Sequence, residues 1–282
     1  MTIALLSDSL LFLFSMTFEL SVFLVVLAYT LLSTGFVLMK KGISWIGFKE
    51  KKDAKYYKNL FTWISGFVIM NSYIVPNAVA LKYLEPHIVS AFAGWGVVVL
   101  VFLSHAVLKE NLFKSDFIFT LVIFISILAL NIFEQKNEEN ALKLPYLISA
   151  SLLPLFIIAP AFLKPVSRRI KTLLFAGVSG ISTGMIIITI KTLVTFSGFE
   201  VGRYLSSPYL YLYLFFSLGA FITLQISYKL GRMMEVGPVQ YSASIIYPVL
   251  CSYFVFGNNI RLIQIASILV LIYGTAGILK KH

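Results

Sequence analysis

The sequence predicts an all-α, polytopic membrane protein of about nine transmembrane helices, and three observations carry that prediction. Of 282 residues, 59% are apolar and only 12% charged, against roughly 25% charged in a soluble domain, and the mean hydropathy is +0.90. The apolar residues come in segments of about 20, the length needed to cross a bilayer. The charges gather at the ends of those segments, unevenly on alternate sides. A soluble core of this size cannot hide so much apolar surface, so lipid must solvate much of it. Nine spans use about 180 residues and leave about 100 for all loops, too few for an extramembrane domain. One cysteine excludes a disulfide framework or a cysteine-ligated cluster. The net charge of +11 would suit a nucleic-acid binder, but lysines at span ends are explained by membrane topology, so no nucleic-acid partner is expected.

The spans are expected at about 20–39, 60–81, 88–108, 116–133, 144–163, 171–190, 209–230, 238–256 and 262–279. They form a single transmembrane domain over 19–280. Residues 1–18 are an apolar extension. Asp8 and Glu19 bracket only ten of its residues, too few to cross about 30 Å of hydrocarbon. No lysine or arginine precedes that stretch, as a signal peptide would require. A short tenth helix there, or a start at Met16, are the alternatives.

Loop charge sets the direction. Lys40 to Lys58 holds seven lysines and carries +5, Lys164 to Lys171 carries +4, Lys229 to Glu235 +1, the tail from Lys280 +2, and Lys109 to Asp116 is neutral. The opposite side holds Asp8, Glu19, Lys82, Glu85, the acidic Glu134 to Lys143 stretch, Lys191, Glu200, Arg203 and Arg261. The split is +12 against −1. It predicts a multi-pass protein of the cell (plasma) membrane with the Lys40–Lys58 loop and the C-terminus cytoplasmic.

The chain also repeats itself. Ser33-Thr34-Gly35 in the first span recurs as Ser182-Thr183-Gly184 in the sixth, each running on to a lysine, Lys40 or Lys191. Lys82-x-x-Glu85 before the third span matches Arg232-x-x-Glu235 before the eighth. A displacement of five helices is odd, so the copies (about 20–133 and 170–280, with 144–163 connecting) would cross the membrane in opposite senses. Inverted repeats of this kind build secondary transporters, with the site near the midplane.

Some chemistry is missing. There is no G-x-x-x-x-G-K-[ST] loop and no H-E-x-x-H. Gly177-Val178-Ser179-Gly180 resembles the nucleophile motif of rhomboid intramembrane proteases, but that serine needs a histidine base. His87, His105 and His282 are the only histidines, and no later span carries one. Close helix approach is the simpler role for Gly177, Ser179, Gly180 and Gly184, and no enzymatic activity is expected.

Polar groups inside the bilayer mark candidate path residues, because each costs free energy. Asn71 and Asn77 lie in the second span, Ser90, Gly94 and Trp95 in the third, Lys191 at the end of the sixth, and Gln225 in the seventh. Tyr241, Ser244 and Pro248 share one face of the eighth by spacing. The Ser90–Gly94 and Gln240–Ser244 surfaces are expected to face each other across the repeat axis. Pro76 and Pro248 free carbonyls that become ligands if they line a cavity. For each polar residue, bonding to a neighbouring helix is the competing role. Lys191 either snorkels to the interface or binds a counterion or substrate. His105 is read as interfacial. His87 beside Glu85 lacks further metal ligands nearby. Trp45, Trp63 and Tyr209 suit an aromatic belt, Trp95 closes a cavity or fills the core, and Cys251 is a small core residue.

Ala80-Leu81-Lys82-Tyr83-Leu84-Glu85-Pro86 and Leu108-Lys109-Glu110-Asn111-Leu112, with the lysine-rich turn after the first span, resemble the drug/metabolite transporter (EamA-like) superfamily. Over about 20–260 the chain most resembles the NIPA-type magnesium transporters. The residues concerned are Phe36 to Gly42; Trp63, Gly66 and Asn77; Ala159-Pro160; the stretch ending at Lys191; Gln225 with Tyr228; and Ser244 to Pro248. Ile74 stands where that family has a glutamate, Ala91-Phe92 where it has an early proline, and Leu250-Cys251 where it has a tyrosine pair. The resemblance implies an alternating-access carrier with Mg²⁺ or another divalent cation as cargo, and no resident cofactor. Magnesium favours carboxylates and retained waters, and no span interior here has a carboxylate. The alternative substrate is therefore a small organic metabolite or drug-like compound held by aromatic rings and amides. A membrane-embedded enzyme or structural protein is the third class. The expected partners are lipid and the small solute or cation, with a homodimer as a further possibility.

Overall fold

The computed structural model describes residues 2–45, 53–81, 83–84, 86–132, 143–163, 166–197, 205–257 and 259–281, with side chains at 18–45, 53–81, 83–84, 88–132, 143–162, 166–193, 205–257 and 259–280. Lys82, Glu85, the His87 side chain, residues 134–142, Glu200 and Arg203 lie outside the described set. Among the described residues there is no strand, and nine helices are long and apolar enough to span a membrane. The chain is an all-α, multi-pass membrane protein. Lipid supplies no hydrogen bonds, so each span must satisfy its backbone within itself, and the helix does that.

The first span belongs to α1 (Thr2–Gly42), which a short 3₁₀ turn (Ile43–Trp45) extends. Residues 2–17 continue this helix rather than forming a separate tenth one. Next come α2 (Ala54–Ser72) with α3 (Ile74–Ala80), α4 (Pro86–Ala91) with α5 (Ala93–Leu108), and α6 (Lys114–Ile132). The fifth span is α7 (Leu144–Ile158) with α8 (Pro160–Leu163), and the rest are α9 (Arg168–Ser197), α10 (Pro208–Leu230), α11 (Met233–Phe256) and α12 (Leu262–Lys281). The second span starts at Ala54, earlier than expected, because the Asp53 carboxylate accepts from the Tyr56 N–H at 2.8 Å and caps it. The eighth starts five residues before Pro238. A charged residue from elsewhere in the chain, Glu110, caps its N-terminus, which local sequence could not reveal.

The chain divides into two compact units, Met1–Lys109 with Ile123–Glu134, and Glu110–Val122 with Gln135–His282. In the first unit α1 is central and packs on α2, α3 and α5. A Cβ on Gly66 would lie 2.6 Å from the Met39 nitrogen and 2.8 Å from the Gly35 oxygen. One on Gly35 would lie 2.5 Å from the Met70 nitrogen. Glycine at these positions lets the α1 and α2 backbones touch, the close approach that drives association in lipid.

In the second unit α9 takes the same central place, against α10 and α11. Gly180 faces Gln240, Ala243 and Ser244, and a Cβ on Gly184 would lie 2.8 Å from the Pro248 ring. The two units therefore share a packing plan, in which one helix holds the two spans that follow it. The Ser-Thr-Gly triplets are used differently, however. Gly35 meets the second span, whereas Gly184 meets the eighth. Gly177 has nothing within 4 Å of an added Cβ, so it does not serve the close approach expected of it.

Candidate functional site

In the first unit the candidate residues gather around two interrupted spans. The ladder of the second span stops between α2 and α3 at Tyr73, whose N–H reaches back to Met70 at 3.4 Å. The cause is local, since Pro76 has no N–H and cannot donate to the Ser72 carbonyl four residues earlier. Regular bonding resumes when the Asn77 N–H reaches the Tyr73 carbonyl at 3.1 Å. Asn77 is half-buried, and its Oδ1 is buried with no hydrogen-bond partner among the described residues. A buried amide oxygen left unpaired costs about 1–3 kcal/mol. Asn71 is exposed and turns its amide onto its own helix, donating to the Phe67 carbonyl at 2.8 Å.

The third span is interrupted at Phe92, between α4 and α5. Ser90 is exposed, whereas Gly94 is buried with Phe124 against it, where a Cβ would meet the ring at 2.7 Å. Gly94 is thus a packing residue. Trp95 donates its indole N–H to the Thr30 hydroxyl at 3.1 Å, and Thr30 donates on to the Val26 carbonyl at 2.7 Å. Ser33 donates to the Gly96 carbonyl at 2.7 Å. This polar seam ties α5 to α1 and holds the half-buried Trp95 ring against α1. Thr30 and Gly96 were not singled out in the sequence, and Ser33 only as part of a repeated triplet, because serine and threonine in an apolar helix carry no sign of their partner.

In the second unit Gln225 and Tyr241 are buried, Lys191 is exposed and Ser244 and Pro248 are half-buried. The Lys191 ammonium sits 4.4 Å from the centroid of the Phe256 ring, a cation–π geometry. Ser244 donates to the Tyr241 carbonyl at 2.8 Å, and both Ser244 and Pro248 lie against the α9 glycines. The Ser179 hydroxyl of the G-x-S-G stretch is buried and donates to the Ala220 carbonyl at 2.9 Å. Its proton is engaged in joining α9 to α10.

Pro154 gives a useful contrast with Pro76. It lies inside α7 and withholds a donor from the Ala150 carbonyl. The Tyr247 hydroxyl of α11 supplies the missing hydrogen bond at 2.6 Å. No side chain does this for the Ser72 carbonyl among the described residues.

A charged cluster holds helix ends together within the second unit. Both Glu110 oxygens accept from the start of α11, from the Met233 N–H at 2.7 Å and the Met234 N–H at 2.8 Å. Arg168 donates to the Leu230 carbonyl at the end of α10 at 2.8 Å. Arg169 donates to the Leu279 carbonyl near the end of α12 and pairs with Glu235 at 3.0 Å. The contacts to backbone match charge to helix dipole, carboxylate at an N-terminus and guanidinium at a C-terminus. In the sequence Arg168 and Arg169 counted only as loop charge, while Glu110 and Glu235 stood in short motifs that gave no sign of these partners. Asp116 likewise caps its own helix, accepting from the Phe113 N–H at 2.8 Å.

Both oxygens singled out at the interruption of the second span, the Asn77 amide oxygen and the Ser72 carbonyl, are neutral. Among the described residues no three His, Cys, Asp or Glu side chains gather as a metal site. No protein-family model, curated protein or solved structure matches the chain.

Proposed function

We propose that the chain is a membrane transporter of drug/metabolite type that moves a small polar solute by alternating access, with the interrupted second span as its ligand-binding element. The observation that carries this reading is an unpartnered Asn77 Oδ1 on the same interrupted span as Ser72, whose carbonyl Pro76 deprives of its helical donor. Irregular backbone at membrane depth is tolerated where it is buried in protein or lines a cavity, and interrupted helices are how transporters expose carbonyls to cargo. The Ala150 carbonyl shows how a purely structural interruption is satisfied, by a hydroxyl from another helix. A neutral donor set suits a small organic solute. The same two hard oxygens favour a second reading, a divalent cation such as Mg²⁺ that keeps most of its water.

The test is flux into proteoliposomes, with a trapped magnesium-sensitive dye and, separately, a panel of labelled metabolites. Saturable Mg²⁺ uptake that disappears in Asn77→Leu supports the cation reading. Saturable uptake of one metabolite, lost in the same variant while Mg²⁺ stays outside, supports the organic one. Folded, inserted protein that moves neither refutes transport.

A further inference from the structure

Where α1 ends and α2 begins, the first unit carries a surface that the transport reading does not use. Trp45 packs edge-on to Trp63 at 5.3 Å and to Tyr56 at 6.5 Å, and Trp63 stacks on Phe67 at 5.8 Å. Gly42 lets the two helices close here, since a Cβ would lie 2.5 Å from the Asn59 oxygen, and the Asn59 amide donates to the Ser44 hydroxyl at 2.6 Å. The cluster is thus a rigid aromatic ledge.

The same helix ends carry Lys41, Lys55 and Lys58, all exposed. Asp53, the one carboxylate among the described residues of this surface, caps α2 through the Tyr56 N–H. Tyr57 and Phe61 are also exposed, at 57% and 73%. Three exposed lysines and an amphipathic aromatic ledge at one span end are the combination that recognises a bilayer surface. Tryptophan and tyrosine settle at headgroup depth, and basic residues beside a span attract anionic lipid.

We infer that this surface is a binding site for anionic phospholipid headgroups of the surrounding bilayer, with Lys41, Lys55 and Lys58 holding the phosphate and the Trp45–Trp63–Phe67 ledge holding the glycerol and upper acyl region. The charge complementarity selects the occupant. A zwitterionic headgroup brings its own cation and gains little from three lysines, whereas an anionic one gains from each.

The experiment uses the full chain in phosphatidylcholine vesicles containing a minor fraction of brominated lipid, and reads tryptophan quenching. Two of the three tryptophans, Trp45 and Trp63, lie in the ledge. Brominated phosphatidylglycerol should quench roughly two-fold or more above brominated phosphatidylcholine at the same mole fraction. The excess should vanish in Lys41→Gln/Lys55→Gln/Lys58→Gln. Equal quenching by the two lipids in the unaltered chain overturns the proposal, and so does an excess that survives the triple substitution. If that variant fails to insert, the unaltered chain at about 1 M salt, where screening acts within about 3 Å, reads the same interaction. Loss of the excess there supports the site and its persistence refutes it. Inorganic phosphate added at low millimolar concentration should leave the excess in place; abolition by phosphate would make this a free-anion site and overturn the lipid assignment.

Discussion

Replacing Tyr247 with phenylalanine removes one oxygen and leaves the ring, so its effect isolates a single hydrogen bond. That bond, at 2.6 Å to the Ala150 carbonyl, stands in for the N–H that Pro154 lacks. Without the hydroxyl the carbonyl has no helical donor and no water in the hydrocarbon region. An orphaned buried carbonyl costs about 1–3 kcal/mol. The expected loss for Tyr247→Phe is therefore about 2 kcal/mol, well above the average of about 0.6 kcal/mol for interhelical bonds in a membrane bundle. The reasoning demands more than a loss. In a Pro154→Ala background the residue 154 N–H can satisfy Ala150 itself, so Tyr247→Phe should then cost only a few tenths of a kcal/mol, making a coupling of about 1–2 kcal/mol in the double-mutant cycle. Reversible unfolding in mixed micelles, titrated with sodium dodecyl sulfate and followed by circular dichroism, measures all four corners. Equal costs for Tyr247→Phe in the two backgrounds would show that the hydroxyl does not replace the missing donor, and the argument would fail.

Further expectations follow from the same contacts. Gly66→Ala should destabilise by about 1–2 kcal/mol, the overpacking cost less the helix-propensity gain, because the obstacle is the α1 backbone and not a side chain that can rotate. Gly177→Ala, with open space around it, should be neutral or gain up to about 1 kcal/mol in the same titration. Glu110→Ala should cost about 2 kcal/mol by leaving two N–H groups of α11 unpaired, and Glu110→Gln about half of that; hydrogen exchange at Met233 and Met234 should rise with the loss. Ser33→Ala, which removes the link from α1 to the Gly96 carbonyl, should lower stability by about 1 kcal/mol without changing the number of spans recovered in a cysteine-accessibility map.

Much of the fold was legible before any coordinate. Lipid as the solvent and, among the described residues, nine spanning helices and no strand follow from apolar segment length, because a backbone in hydrocarbon has only one way to satisfy itself locally. Asn77 and Pro76 could be picked out because a carboxamide or a proline in an apolar run breaks its surroundings visibly. Gly180 and Gly184 were legible as close-approach residues for the same reason.

The tertiary structure decided which polar groups already had partners. Residue spacing places a side chain on a face, but it does not say what covers that face. Gly94, Ser244 and Pro248 shared the signature of path residues, and the structure sets Gly94 against Phe124 and the other two against α9. Glu110, Arg168 and Arg169 read as loop charges until their helix-end contacts, 123, 62 and 110 residues away, were in view. The start of the eighth span was misplaced by the same blindness, since its cap comes from a distant segment. Local composition therefore determined the solvent and the secondary structure, whose hydrogen bonds are local. Which polar atoms remain free for a ligand depended on bonds between residues far apart in the chain, and only the folded structure could decide that.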